Sequence, residues 1–202
     1  MNYRKLLFFA LRFMAYALVL AGLYFIFLYD ARHNPGEVKI TENSLTEIFQ
    51  AVFVFLAVAG FFIAGRKARG MAPFMNLLAL FFLMSFIREF NNQIDFWFYI
   101  VLPFLILFGI LIVINFKKNI SSFLVFIEQK SSGAFFIGFL VTYLFSRLFG
   151  KTSFWMALMG DAYHRTAKNM AEEGIELLGY AIILISMVEL LVSIFGKMKQ
   201  QG

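Results

Sequence analysis

Six long apolar runs constrain this chain more than anything else in it. About Leu6 to Tyr29 is broken only by Arg12, and further runs extend from about Thr46 to Gly65, Pro73 to Ile87, Phe96 to Phe116, Ala134 to Phe149 and Ile175 to Phe195. A bilayer core takes about 17 to 25 consecutive apolar residues as a helix. The sequence therefore predicts an all-α, six-transmembrane-helix bundle forming one integral domain over residues 1–202. Composition agrees: 61% of the 202 residues are hydrophobic, 15% are charged and 29 are Phe, far from the soluble norm of about one quarter charged. The third and fifth runs are short, so flanking polar residues sit close to their ends. Pro103 and Gly109 predict a kink in the fourth.

Two connections, Asn119 to Gly133 and Lys151 to Asn169, mix a short apolar centre with polar residues and read as two short interfacial helices. The opening "MNYRKLLFFALRFMAYALVLAG" has the basic start of a signal peptide, but its apolar run continues through "LYFIFLYD" without a small-x-small site. An uncleaved first span is expected. Matching spans one to three with four to six aligns no like charges, which gives an inverted repeat no support.

Six crossings sort the charges. Arg4, Lys5, Arg66, Lys67, Arg69, Lys117, Lys118, Lys130, Lys197 and Lys199 fall on one side, opposed there by Glu128. Asp30, Glu37, Glu42, Glu47, Glu89, Asp95, Asp161, Glu172, Glu173 and Glu176, ten of the 12 acids, fall on the other. The positive-inside rule makes the basic side cytoplasmic, with both termini there. A four- or five-span count scatters basic clusters over both sides. The short chain has no sorting motif, and a bacterial inner membrane is the expected location. The net charge of +6 thus reflects topology and not nucleic acid.

The acidic side also gathers polar residues at helix ends. Span two enters with Glu47, span three leaves with "IREFNNQID" carrying Arg88, Glu89, Asn91, Asn92, Gln93 and Asp95, span five leaves with Arg147, and span six enters behind His164, Arg165 and Lys168. Two helical rows run into span six, Arg165–Asn169–Glu173–Glu176 and Lys168–Glu172–Glu176, so that a helix from about Ala162 pairs its basic and acidic side chains along one flank. Plainer roles stand beside this. "SLTE", Ser44 to Glu47, fits a capping box; Asp95 and Asp161 fit N-caps; Tyr24, Tyr29, Trp97, Tyr99 and Trp155 fit an aromatic belt. Concentration is what those roles leave unexplained. Glu47 and Glu176 lie about a turn inside apolar sequence, where an unpaired charge costs several kcal/mol. They must therefore face inward and pair with Arg88, Arg147 or Arg165, or hold a proton or a metal. Deeper, Arg12 and Glu189 each lie about 10 Å from the cytoplasmic end of their spans. They are expected to form a structural ion pair that makes spans one and six neighbours, the alternative being that Arg12 snorkels to the headgroups.

Chemistry is narrowed mainly by what is missing. Without cysteine there is no thiolate nucleophile, Cys-ligated zinc or iron–sulfur cluster. The two histidines, His33 and His164, lie outside the spans, so haem ligation within the bundle is not expected. No span has a central lysine, and no G-x-S-x-G, H-E-x-x-H, P-loop or G-x-G-x-x-G occurs. A divalent metal held by His164 and Asp161 with nearby glutamates is one possibility. The leading expectation is a small membrane protein whose outer-facing cluster of Glu47, Arg88, Glu89, Arg147, Arg165, Glu172, Glu173 and Glu176 binds or transports a cation, a proton or a polar head group. The first alternative is a metal-assisted hydrolase or transferase acting on lipid-linked substrates. The second is an assembly subunit whose Phe-rich faces meet partner proteins or a second copy; membrane lipids are partners in every case.

Overall fold

A computed structural model describes residues 3–33, 44–91 and 93–201; Glu37, Glu42 and Asn92 lie outside them. The described residues contain helices and turns and no strand. Six helical segments are long and apolar enough to cross a membrane: Tyr3–His33, Leu45–Lys67, Arg69–Arg88, Trp97–Ile114, Ser132–Phe149 and Arg165–Lys199. The chain is therefore built as a multi-pass integral membrane protein, in agreement with the apolar runs.

The helices are α1 (Tyr3–His33), α2 (Leu45–Lys67), α3 (Ala72–Arg88), α4 (Trp97–Ile114), α5 (Phe116–Ile127), α6 (Ser132–Leu140), α7 (Ser146–Phe149), α8 (Thr152–Met159) and α9 (Arg165–Gln201). A π-helical turn, Val141–Phe145, joins α6 to α7 within the fifth span. The fourth span stops at Ile114, short of the expected Phe116, because α5 turns away there; Asn119 donates its side-chain amide to the Leu111 carbonyl at 3.0 Å and so closes the end of α4. Pro103 sits inside α4. The second connection is shorter than the sequence suggested. α8 ends at Met159, a 3-10 turn covers Gly160–Ala162, and α9 begins at Arg165 rather than near Ala162.

Contacts along the helices fix their directions. α2 and α3 are antiparallel, with Phe55 against Phe86 and Phe61 against Phe82. α3 and the fifth span run the same way, Phe81 meeting Phe139 while Ser85 meets Tyr143 at 2.9 Å. α9 runs beside α2 and opposite to the fifth span, with Gln50 bonded to Glu173 and the Ser186 hydroxyl donating to the Ser131 carbonyl at 2.8 Å. These four, with Phe126 of α5 packed in, make the core, a Phe-rich cluster containing Phe61, Phe82, Phe126, Phe135, Tyr180 and Ile183. Lipid tails are as apolar as Leu, so burial alone does not join helices in a membrane and close backbone approach matters. Here Gly138 and Gly179 supply it. A Cβ at Gly179 would collide with the Thr142 hydroxyl and lie 3.0 Å from the Gly138 carbonyl oxygen. The π turn lies on this seam, which fits its wider backbone to α9.

α1 and α4 are peripheral: α4 buries no residue, and α1 buries only Leu23 and Asp30. Asp30 ties the far end of α1 to α2. Its carboxylate accepts from the amides of Leu45 and Thr46 at 2.9 and 2.8 Å and from the Thr46 hydroxyl at 2.6 Å, an acid at the positive end of a helix. Ser44 is the N-cap, its hydroxyl accepting from the Glu47 amide at 3.2 Å, which is the Ser44 half of the expected capping box. At the other end Arg12 and Tyr16 of α1 both bond the Glu189 carboxylate of α9. The expected ion pair is present, and α1 and α9 are neighbours.

Candidate functional site

Glutamates and arginines reach one end of the core because α2 and α9 start there while α3 and the fifth span finish there. Between these ends lies an open cavity of about 320 Å³ lined by Glu47, Gln50, Arg88, Glu89, Asn91, Trp97, Arg147, Glu173 and Glu176. Its size is that of a small-molecule site, yet its wall is almost wholly polar.

Each wall residue is held by others. Arg147 forks between two turns of α9, with Nη1 at 2.8 Å from Glu172 and Nη2 at 2.6 Å from Glu176. Glu176 is 4% exposed and lies 3.4 Å from the Ser146 hydroxyl. Glu172 completes the row predicted with Lys168, whose ammonium is 3.2 Å away. It serves the site from outside the wall, its carboxylate filling the space where a side chain at Gly150 would project. Gln50 donates to the Glu173 side chain and backbone carbonyl, both at 3.0 Å, and so stitches α2 to α9. The Tyr180 hydroxyl donates to Glu89 at 3.0 Å, and Tyr180 packs edge-on against Tyr143, which bonds Ser85. Glu89, one residue past the end of α3, has its carboxyl pushed above the ordinary carboxylate range by burial. The nearby Arg88 charge and the Tyr180 hydroxyl offset this in part, while Glu173 adds to it.

Arg88 is held more loosely. Its guanidinium comes no nearer than 3.9 Å to Glu89, beyond hydrogen-bond range, and its side chain is 36% exposed. With carboxylates outnumbering guanidiniums four to two in the wall, and Arg147 engaged by Glu172 and Glu176, the cavity presents surplus negative charge beside one available cation.

The structure thus brings together Glu47, Arg88, Glu89, Arg147, Glu173 and Glu176, with Glu172 just behind. It leaves Arg165 out. Arg165 is exposed at the first turn of α9 and lines no part of the cavity, because the eight residues to Glu173 place it about 12 Å further along the axis. His164 and Asp161 are also exposed and outside the wall. Among the described residues no group of three His, Asp or Glu side chains is placed to hold a metal. Asp161 lies within the 3-10 turn and not at the start of α9, and α4 is preceded by Phe96 without a side-chain cap, so neither Asp161 nor Asp95 serves as the expected N-cap. Sequence reasoning missed Gln50 and Tyr180. Gln50 lies three residues after Glu47 and Tyr180 four after Glu176, so extending each acidic row by one turn reaches both.

The chain matches no protein-family model, no curated protein and no solved structure.

Proposed function

We propose that this chain is a small protein of the bacterial inner membrane whose cavity faces the outer leaflet and binds a positively charged polar group, for retention or for passage across the membrane. The carrying observation is the cavity itself, with four glutamates against two arginines in one open wall. A purely structural ion-pair network closes on itself and leaves no space. Here the acids hold an accessible volume open, with amides from Gln50 and Asn91 to orient a ligand. Sidedness follows from the basic residues at the opposite end of the bundle, which the positive-inside rule assigns to the cytoplasm. The metal-assisted enzymatic reading gains nothing from the geometry, since His164 and Asp161 stand away from the cavity.

The test uses Trp97, which lines the cavity, in a Trp155→Phe background where it is the sole tryptophan. Titrating the purified protein with glycerophosphoethanolamine, sodium or calcium is expected to change Trp97 emission saturably for at least one probe, and Glu173→Gln is expected to weaken that response about tenfold or more. No response to any of the three overturns the reading. Orientation is checked in the naturally cysteine-free chain by labelling Arg69→Cys and Lys151→Cys from outside intact cells, where only the second is expected to react.

A further inference from the structure

The polar cavity does not end at its own rim. A second depression of about 500 Å³ adjoins it, lined by Ile48, Ala51, Val52, Phe55, Leu56 and Phe86 with Phe90 and Gln93, and sharing Glu47 and Glu89 with the cavity. Those two carboxylates are the boundary between a charged compartment and an apolar trough on the outward side of α2 and α3. Ile48, Val52, Phe55 and Leu56 are each at least 41% exposed, so the trough opens sideways to the hydrocarbon. Val52 and Phe55 lie about 8 and 12 Å below Glu47 along α2.

We infer that cavity and trough together form a lateral binding site for a zwitterionic aminophospholipid, its ammonium among Glu47, Glu89 and Glu173, its phosphate on Arg88, and one acyl chain in the α2–α3 trough. This rests on the cavity being a binding site, as proposed above. A partner helix does not fit the same space, because following the trough to its end would press apolar surface onto Glu47 and Glu89. A lipid changes from apolar to charged at that level. The head group follows from the charges: the surplus carboxylates require a cation, and Arg88, unlike Arg147, is not already gripped by acids and so suits a phosphate. An anionic phospholipid such as phosphatidylglycerol brings the phosphate without the cation and meets the carboxylates unfavourably.

Two variants separate the compartments. Ala51→Phe fills the trough, and Val52→Ser removes apolar contact from a side chain that is 44% exposed and outside the core. Native mass spectrometry of the detergent-purified chain is expected to show phosphatidylethanolamine retained about tenfold or more over phosphatidylglycerol. Both variants are expected to reduce that retention several-fold and to leave the Trp97 response to glycerophosphoethanolamine unchanged, which also reports that they fold. Equal retention of the two lipids overturns the inference, as does retention that neither variant lowers, while the soluble head group's response keeps the cavity reading intact. Lipid retention without any response to the soluble head group overturns the inference, and silence to sodium and calcium as well overturns the cavity reading.

Discussion

Removing the Arg147 side chain tests whether the cavity wall is held by charge pairing. Arg147→Leu leaves Glu176, 4% exposed, with only the Ser146 hydroxyl at 3.4 Å, whereas Glu172 keeps Lys168 at 3.2 Å. Stripping one partner from a buried ion pair costs about 3–5 kcal/mol. Arg147 is itself 48% exposed, so water already screens the pair and the cost drops to the bottom of that range or just under it, about 2–3 kcal/mol. For a chain of this size that is a fall of roughly 5–10 °C in unfolding midpoint. Glu176→Gln alone should cost about 1 kcal/mol or less, since Arg147 retains Glu172 at 2.8 Å. The double variant removes both charges and is expected to recover about 1–2 kcal/mol relative to Arg147→Leu, a coupling well above the additivity error of about 0.5 kcal/mol. Unfolding followed by circular dichroism in one detergent at fixed pH measures all four proteins. If Arg147→Leu unfolds within a degree of the parent, or if adding Glu176→Gln restores nothing, the pair is not what keeps the carboxylates in place.

Two further expectations concern titration and packing. Because burial raises the Glu89 carboxyl, the folded chain gives up that proton at a higher pH than the unfolded chain does. Stability is therefore full below the unfolded carboxylate value of about 4.3 and falls as pH rises through the folded value. The groups facing Glu89 are Arg88, Tyr180, Glu173, Glu176 and Arg147, and Glu89→Gln should flatten the slope of the midpoint as pH rises above the unfolded carboxylate value; a slope unchanged by the substitution refutes the assignment to Glu89. At the α6–α9 seam, Gly179→Ala places a methyl against the Thr142 hydroxyl and within 2.8 Å of the Thr142 amide nitrogen. That backbone atom cannot step aside, and about 1–3 kcal/mol should be lost. Gly22→Ala, with nothing within 4 Å of the added carbon, should be neutral or stabilising by up to about 1 kcal/mol. Similar midpoints for the two variants refute the close approach.

What was readable from the sequence is what lipid and helical geometry demand locally. The six spans follow from the need for unbroken apolar runs. The Lys168–Glu172 pair follows from a four-residue spacing, and Arg12 with Glu189 from two charges at matching depth, each with few tolerable partners. The partner of the acidic row was a different kind of question. The residues offered Arg88, Arg147 or Arg165 to Glu176 without deciding among them, spacing along α9 favouring Arg165; it is Arg147 from α7 that answers Glu176, a choice set by the axial register of two antiparallel helices. That register depends on how closely Gly138 and Gly179 let the backbones approach and on the extra residue accommodated by the π turn at Val141–Phe145. Neither has a periodic signature, because a glycine in an apolar run looks the same whether it faces a helix or lipid. Asp30 was hidden by another route. Ser44 and Glu47 already satisfied the local pattern for the start of α2, so nothing in that pattern asked for a second acid. Yet the first turn of a helix leaves several amides without intrahelical partners, and Asp30, from the end of α1, takes those of Leu45 and Thr46 that the Ser44 hydroxyl does not reach. The start of α2, which carries Glu47 and Gln50 into the cavity wall, is thereby positioned by a residue in the preceding span.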